Sequence, residues 1–266
     1  MTPERCDGIV LAAGAGTRYG MPKALAEDGA WLRTAVHALR AGGCARVFVV
    51  LGATGPAQRD GESGSGPGRL VSQTPRIPVP AGAYPVWASD WATGVSASMK
   101  AGLAAVSAAP SLVTAPASPS GIAFPPGEIT PGEFIAARTA ADGITSAGNT
   151  ANDNSRTGSI SVPDMISGPP SHVAIMPVDT PDVGPDVVRR VIEAARTAES
   201  GLARAFFGKT PGHPVVLGRA HWADVMVNAT GNYGAGTYLR GRADMVCVTC
   251  DDLATGIDRD YPCGTR

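Results

Sequence analysis

Short apolar runs recur along the chain, separated by stretches in which apolar residues follow a helical period. Residues 9–13, 47–51 and 172–177 have the length and bulk of strands that are buried on both faces. Residues 31–41 and 185–198 instead place apolar side chains on one helical face. A strand, a helix and a strand within the first 50 residues predict a βαβ unit, and we therefore expect an α/β fold with a mostly parallel sheet.

Weaker patterns extend this prediction toward the carboxyl end and into the connections. Four further short strands and two helices are predicted; the strands are at 70–73, 84–87, 202–207 and 244–248, and the helices are at 99–106 and 221–227. Prolines near 70–73 and 84–87 count against these two strands.

Residues 107–171 differ in composition from the rest of the chain. Pro, Ala, Gly, Ser and Thr dominate this segment, and its few large apolar residues show no period. Such a segment cannot bury enough surface to offset the entropy lost on ordering. We predict a single domain over residues 1–266 that carries a largely disordered insertion at about 107–171, in a surface loop.

Composition excludes several classes of protein. The net charge is −1, so no basic field attracts nucleic acid or an anionic membrane, and no apolar run reaches the length of about 18 residues that a membrane helix needs. The amino terminus lacks the pattern of a signal peptide. Five scattered cysteines, including an isolated Cys247-x-x-Cys250 pair, indicate reduced thiols and a cytoplasmic protein.

The first strand leads into a glycine-rich loop that carries two cations. Gly14, Gly16 and Gly20 let backbone N–H groups approach a ligand, and Arg18 and Lys23 add positive charge. This combination suits a polyphosphate. The glycine spacing matches neither a P-loop nor the dinucleotide-binding fingerprint.

The segment from Leu11 to Leu25 reads Leu-Ala-Ala-Gly-x-Gly-x-Arg-x-Gly-x-Pro-Lys-x-Leu. It resembles the signature loop of the MobA-like NTP transferases, a group that includes molybdenum cofactor cytidylyltransferase. The resemblance implies a three-layer α/β/α, Rossmann-like nucleotidyltransferase fold. It also implies that one set of residues binds the nucleotide: Leu11, Ala12, Ala13, Gly14, Gly16, Arg18 and Lys23.

A second segment resembles the part of these transferases that lies against the base and ribose. Trp91, Gly94 and Ser98 match its Trp-x-x-Gly-x-x-x-Ser pattern, which implies that Gly94 and Ser98 also bind the nucleotide. The alternative is an ordinary helix cap rich in small polar residues.

Asp179 directly follows the predicted strand 172–177, at the edge where open parallel sheets bind ligands. A carboxylate that faces a triphosphate needs a cation between them, and Mg²⁺ binds through carboxylates and phosphates together. The resemblance of Asp179-Thr180-Pro181 to the family's Asp-x-Pro motif implies a Mg²⁺ ligand. By the same alignment Asp260, in the closing segment, is the second ligand. A turn-forming role for Asp179 and a solvated tail at Asp260 are the alternatives.

A Pro-Gly-His-Pro segment places His213 where the resembled family faces its acceptor; a structural role for this histidine fits the sequence equally well. Other positions depart from the family pattern. Asn232 replaces an acid, Gly236 replaces an arginine and Tyr261 replaces a threonine.

The resemblance implies a Mg²⁺-dependent transfer of CMP from CTP to a phosphorylated acceptor such as molybdopterin, with release of pyrophosphate. Arg18, Lys23 and Asp179 would be the catalytic residues, and a molybdoenzyme a potential partner. Ala13 and Pro22 resemble the cytidylyltransferase branch. One alternative is a degenerate protein that binds a nucleotide or cofactor and delivers it to an enzyme. Another is a transferase for a sugar phosphate or phospholactate.

Overall fold

The computed structural model describes residues 4–55, 77–108 and 169–261. The strand predicted at 70–73 and residues 109–168 of the predicted insertion lie outside these ranges. The described strands are β1 (Cys6–Leu11), β2 (Val47–Leu51), β3 (Ala83–Trp87), β4 (His172–Pro177), β5 (Leu202–Phe207), β6 (Thr210–Gly218) and β7 (Val246–Thr249). The described helices are α1 (Ala26–Ala41), α2 (Val95–Ala108), α3 (Pro185–Thr197), α4 (Trp222–Asn228) and α5 (Gly236–Arg240).

The seven described strands form one sheet in the order β3-β2-β1-β4-β6-β5-β7. Strands β3, β2, β1 and β4 are mutually parallel, β5 is parallel to β7, and β6 is antiparallel to both of its neighbours. The prediction of a mostly parallel α/β sheet is confirmed. The antiparallel strand has a consequence for the site, because it begins at the edge where the parallel strands end.

Helices cover both faces of the sheet. On one face, Leu32 and Leu39 of α1 and Val188 of α3 belong to one buried apolar cluster. On the other face, Leu103 of α2 and Val225 of α4 belong to a second. The two clusters take alternate residues of each central strand, as expected for a sheet that is buried on both sides. No helix in the three described ranges is both long enough and apolar enough to cross a bilayer.

The first strand begins earlier and ends earlier than predicted. It covers Cys6–Leu11 rather than 9–13, and Ala12 and Ala13 already belong to the following loop. The apolar run concealed this boundary because Asp7 is inside the strand and fully buried. Its carboxylate accepts hydrogen bonds from Arg46 at 2.6 Å and 2.9 Å and from Arg5 at 3.2 Å, which is how a buried charge is accommodated.

The carboxyl ends of β1 and β4 meet at one edge of the sheet. Leu11 is in register with Pro177, so the glycine loop after β1 and the segment carrying Asp179 start side by side. Helix α1 then leads away, with a break near its start where Glu27, Asp28 and Gly29 have positive φ.

Candidate functional site

A cleft of about 640 Å³ opens at this edge of the sheet. The glycine loop, the start of α2, the segment after β4 and the start of β6 all contribute to its walls. Of the residues predicted for the site, all but Gly94 line it: Leu11, Ala12, Ala13, Gly14, Gly16, Arg18, Lys23, Ser98, Asp179, His213 and Asp260.

The glycine loop depends on one tight turn. Gly16 has a φ of +63°, and a Cβ placed on it would lie 1.9 Å from the backbone oxygen of Met21. The turn closes with a hydrogen bond of 2.9 Å from the Gly20 amide to the Gly16 carbonyl. Only glycine fits at this position, since a side chain would clash with the backbone and adopt a strained conformation. The turn brings Arg18 and Lys23 back over the end of β4.

Four charged side chains meet in the cleft, and we call Arg18, Lys23, Asp179 and Asp260 the Lys23 cluster. The Lys23 ammonium donates hydrogen bonds to Asp179 at 2.6 Å and to Asp260 at 2.7 Å. Arg18 forms an ion pair of 2.7 Å with the other oxygen of Asp260. The residues predicted to bind phosphate and those predicted to bind metal are therefore in direct contact.

The contacts within the Lys23 cluster favour the charged forms of Lys23 and Asp260. Burial lowers the pKa of Lys23, but hydrogen bonds to Asp179 and Asp260 outweigh it, and the net pKa is raised. The hydrogen bond from Lys23 lowers the pKa of Asp260 against a smaller opposing effect of burial. The Asp260 carboxylate is thus ready to bind a cation at neutral pH.

Asp179 lines the cleft, and one of its carboxylate oxygens has no hydrogen-bond partner. Its Oδ1 is buried and has no hydrogen-bond partner, while Oδ2 contacts Lys23. Such an oxygen beside a second carboxylate fits a divalent cation that takes its other ligands from phosphates. The described residues contain no group of three or more side chains arranged to hold a metal by themselves. The arrangement is consistent with a metal shared with a substrate.

Asp260 reaches the cluster because the segment after β7 is fixed along the sheet edge. Asp182, just after β4, accepts hydrogen bonds from the backbone N–H groups of Thr255 at 2.7 Å and Gly256 at 3.1 Å. The Arg259 amide donates to the Asp179 carbonyl at 3.0 Å. Asp182 was not predicted from the sequence, and its position three residues after Asp179 is the signal that could have indicated it.

His213 reaches the cleft because β6 runs antiparallel to β4. It is half-buried, and its Nδ1 is buried without a hydrogen-bond partner. Burial, together with the nearby charge of Arg204, lowers the pKa of His213 to about 4. This histidine is therefore neutral at physiological pH.

Arg204 and Asp258 also line this part of the cleft. Burial lowers the pKa of Arg204, whereas burial and then the charge of Asp179 raise the pKa of Asp258. Arg204 was not predicted from the sequence as a residue of the site. A single cation inside an otherwise apolar strand was the available signal.

Gly94 does not line the cleft but supports a turn that does. Its φ is +125°, and a Cβ there would lie 2.5 Å from the Gly231 carbonyl oxygen. Asn232, in that turn, lines the cleft. Trp91 packs against Gly52 and the second apolar cluster. Of the segment predicted to face the base and ribose, Ser98 borders the cleft, and Gly94 positions a neighbouring turn.

Known structures resemble this fold. Rv0371c from Mycobacterium tuberculosis H37Rv is 17% identical with a TM-score of 0.57, over 98% of this chain and 95% of that one. The structure of its manganese complex is 17% identical with a TM-score of 0.54, over 96% of this chain and 94% of that one. A nucleotidyl transferase from Methanothermobacter, Mth528, is 14% identical with a TM-score of 0.54, over 97% and 92%. These likenesses confirm a Rossmann-like fold shared with nucleotidyltransferases. A search of curated protein sequences finds no match.

The family comparison covers most of the chain. The family model of the MobA-like NTP transferase domain matches residues 8–117 and 137–248, which include the glycine loop, Asp179 and His213. The fold and the family agree on the class of protein. The chain belongs to the MobA-like NTP transferase family, a family of nucleotidyltransferases.

Proposed function

We propose that the protein transfers CMP from CTP to a phosphorylated small-molecule acceptor and releases pyrophosphate. The observation that carries this proposal is the contact between Lys23 and Asp179 at 2.6 Å. It joins a loop suited to phosphates with a carboxylate suited to a metal, although 156 positions separate the two residues. A nucleotidyl transfer needs both groups at one α-phosphate.

The cations of the glycine loop would hold the leaving phosphates. Arg18 and Lys23 both line the cleft, and each is paired with a carboxylate that a bound metal ion could neutralise instead. Backbone N–H groups around Gly14 and Gly16 would add uncharged donors. These groups lie on the β1 side of Asp179 and would orient the triphosphate for attack at its α-phosphorus.

Asp179 and Asp260 would hold Mg²⁺, with the unpartnered Oδ1 of Asp179 as the first ligand. Bound Mg²⁺ would offset the charge that develops on the transferring and leaving phosphates. The manganese complex of Rv0371c supports the use of a divalent ion in this fold.

The acceptor would attack through a phosphate oxygen. A phosphate is already ionised at neutral pH, so the reaction requires no general base. The neutral His213 agrees with this, because its low pKa removes it as a proton carrier near pH 7. Its place in the cleft suits contact with the acceptor.

The choice of CTP, and of a molybdopterin-type acceptor with a molybdoenzyme as its recipient, rests on the resemblance of Ala13 and Pro22 to the cytidylyltransferase branch. A cytoplasmic setting is part of the same proposal. A sugar phosphate or phospholactate acceptor fits the same chemistry.

A second candidate is a nucleotide- or cofactor-binding protein without turnover, which delivers its ligand to a partner enzyme. It is favoured by the absence of charge at Asn232 and Gly236, which both line the cleft.

The first experiment measures thermal stabilisation of the purified protein by CTP, GTP, ATP and UTP, each with Mg²⁺. A ligand at about 100 times its Kd stabilises by roughly 2.7 kcal/mol, which is a shift of several degrees. We expect the largest shift with CTP, its loss in Lys23→Ala and its weakening in Asp179→Ala. Lys209→Ala and Asp224→Ala, at exposed positions outside the cleft, are the matched controls.

Turnover separates the transferase from the binding protein. Pyrophosphate release is followed with CTP, Mg²⁺ and molybdopterin. Each charge-assisted contact contributes roughly 1.5–3 kcal/mol, so Lys23→Ala and Asp179→Ala should each lower the rate on the order of ten- to a hundredfold. Near-normal turnover in either variant would contradict the proposed roles. Nucleotide binding without turnover on molybdopterin, a sugar phosphate or phospholactate would favour the second candidate.

A further inference from the structure

Arg204 is a cation in a strand that is otherwise part of the core. Its neighbours Leu202, Ala203 and Ala205 are fully buried, whereas Arg204 is half-buried and lines the cleft. A guanidinium is costly to bury without a partner for its charge. The position of Arg204 therefore raises the question of which anion it meets.

The other two guanidinium or ammonium groups that line the cleft are already paired with carboxylates, Arg18 with Asp260 and Lys23 with both aspartates. Arg204 is different. Its Nε donates to the Gly212 carbonyl at 2.9 Å and its Nη2 approaches the Pro211 carbonyl at 3.5 Å. Among the described residues, no carboxylate oxygen lies within 4.0 Å of a guanidinium nitrogen of Arg204, which is the distance limit for an ion pair.

The backbone around Arg204 fixes the direction of this side chain. The pairing of β5 with β6 shifts register between Arg204 and Phe206, and such irregularities beside a site re-aim a side chain. The Gly212 carbonyl then holds Nε. The guanidinium edge beyond it remains available for an anion, and a planar fork of N–H groups is well matched to phosphate oxygens.

The order of the strands places Arg204 on the far side of Asp179 from the glycine loop. Along the edge of the sheet, β1 carries the loop, β4 carries Asp179, β6 carries His213 and β5 carries Arg204. If the donor phosphates occupy the loop, the second substrate must approach from the β6 and β5 side. Neutral His213 contributes no charge there, and Asp258 is the nearby carboxylate.

From this juxtaposition we propose that Arg204 binds the phosphate of the acceptor substrate. The inference rests on the proposed function and assigns its second substrate a subsite of its own. It places the phosphate of that acceptor across the metal position from the leaving phosphates.

The test fills the donor side and then measures anion binding on the other side. The full-length protein is saturated with α,β-methylene-CTP and Mg²⁺, a donor that cannot release pyrophosphate, and inorganic phosphate is titrated by calorimetry. Arg204→Gln removes the charge, and Arg204→Lys keeps the charge without the fork. Arg189→Gln, at an exposed arginine of α3 outside the cleft, is the matched control.

We expect Arg204→Gln to weaken phosphate binding about tenfold or more, which is the size of one lost charge-assisted contact. Arg204→Lys should weaken it several-fold, and Arg189→Gln should behave as the wild type. The affinity for α,β-methylene-CTP should be the same in all four proteins. If Arg204→Gln fails to fold, the folded Arg204→Lys variant decides by the same comparison.

Two results would overturn the inference while leaving the proposed function intact. They are an unchanged phosphate affinity in the Arg204 variants, and the absence of phosphate binding to the nucleotide-loaded wild type. A wild type that binds no nucleotide would instead contradict the proposed function. The phosphate titration would then be repeated in proteins that also carry Lys23→Ala. A phosphate affinity that still depends on Arg204 would support the inference, and one that does not would overturn it.

Discussion

Strand β1 has a cluster of charges near each of its ends, and the two clusters differ in one respect that matters for function. At its start, Asp7 forms ion pairs of 2.6–3.2 Å with Arg5, which precedes β1, and with Arg46, which precedes β2. Beyond its last residue, the Lys23 cluster forms pairs of 2.6–2.7 Å. By distance alone the clusters are equivalent. By accessibility they are not, since the Asp7 carboxylate is fully buried and that of Asp260 is 30% exposed.

Each cluster contains one carboxylate oxygen that lacks a hydrogen-bond partner. Both Asp7 and Asp179 have an Oδ1 without a hydrogen-bond partner. Asp7 lies between two buried guanidiniums and its side chain is fully buried, whereas Asp179 lines the cleft and its side chain is 17% exposed. An unpaired oxygen indicates a ligand site only where a ligand can reach it. We therefore expect the Asp7 cluster to contribute to stability, and we propose that the Lys23 cluster binds the ligand.

Asp7→Asn gives the largest effect that this assignment predicts. It removes the carboxylate charge that the buried guanidiniums of Arg5 and Arg46 both contact, and breaking a buried pair in this way costs about 3–5 kcal/mol of unfolding free energy. Urea unfolding measures the change. Asp244→Asn, which breaks an exposed pair with Arg242, is the control and should leave the midpoint unchanged. A loss below about 1 kcal/mol for Asp7→Asn would place the two clusters in one class.

The next largest effect is expected at His213. This residue lines the same cleft as the Lys23 cluster, but it is half-buried. Its pKa is about 4 in the folded protein, below the value of about 6.5 in the unfolded chain. The unfolded chain therefore binds more protons between these pH values, and stability falls as pH falls from 6.5 to 4. We expect the wild type to lose about 2–3 kcal/mol more than His213→Gln over this range. If the unfolding free energies of the wild type and His213→Gln fell by the same amount from pH 7 to pH 4, the low pKa of His213 would be contradicted.

Gly16→Ala tests whether the glycine loop beside the cleft depends on a backbone conformation that only glycine permits. The positive φ and the clash with the Met21 carbonyl should cost about 1–2 kcal/mol and weaken nucleotide binding. Gly14→Ala is the matched control, because a Cβ there meets nothing within 4 Å in the described structure. Thermal unfolding should change little in this control. Equal destabilisation by the two substitutions would argue against the turn as the cause.

Asp260→Asn is the counterpart of Asp7→Asn in the Lys23 cluster and predicts the smallest change in stability. Because its ion pairs are partly exposed, the loss should be about 1 kcal/mol or less. The same variant should lose most of the thermal shift that CTP and Mg²⁺ produce in the wild type. A large loss of stability with an unchanged nucleotide shift would reverse the assignment of the two clusters.

Much of the fold was predictable because its signals are local. The apolar runs at 47–51 and 172–177 match β2 and β4, and the period over 185–198 matches α3 within one residue. The first strand was misplaced because a buried aspartate does not resemble a strand residue until its partner Arg46 is known. The glycine loop was found by its spacing, which is itself a local property.

The site divides along the same line. The order of glycines and cations in residues 11–25 is sufficient to predict a phosphate-binding loop, since backbone conformation and charge are properties of the segment itself, and phosphate binding itself stays a prediction. The contact of Lys23 with Asp179 and Asp260 depends on the sheet order, which brings together segments far apart along the chain. Arg204 reaches the cleft only because β6 is antiparallel and β5 follows it at the same edge. Which chemical groups the protein carries follows directly from its amino-acid sequence. Which of these groups face one another follows from the folded chain, because sheet order and burial depend on long-range packing that no local pattern contains.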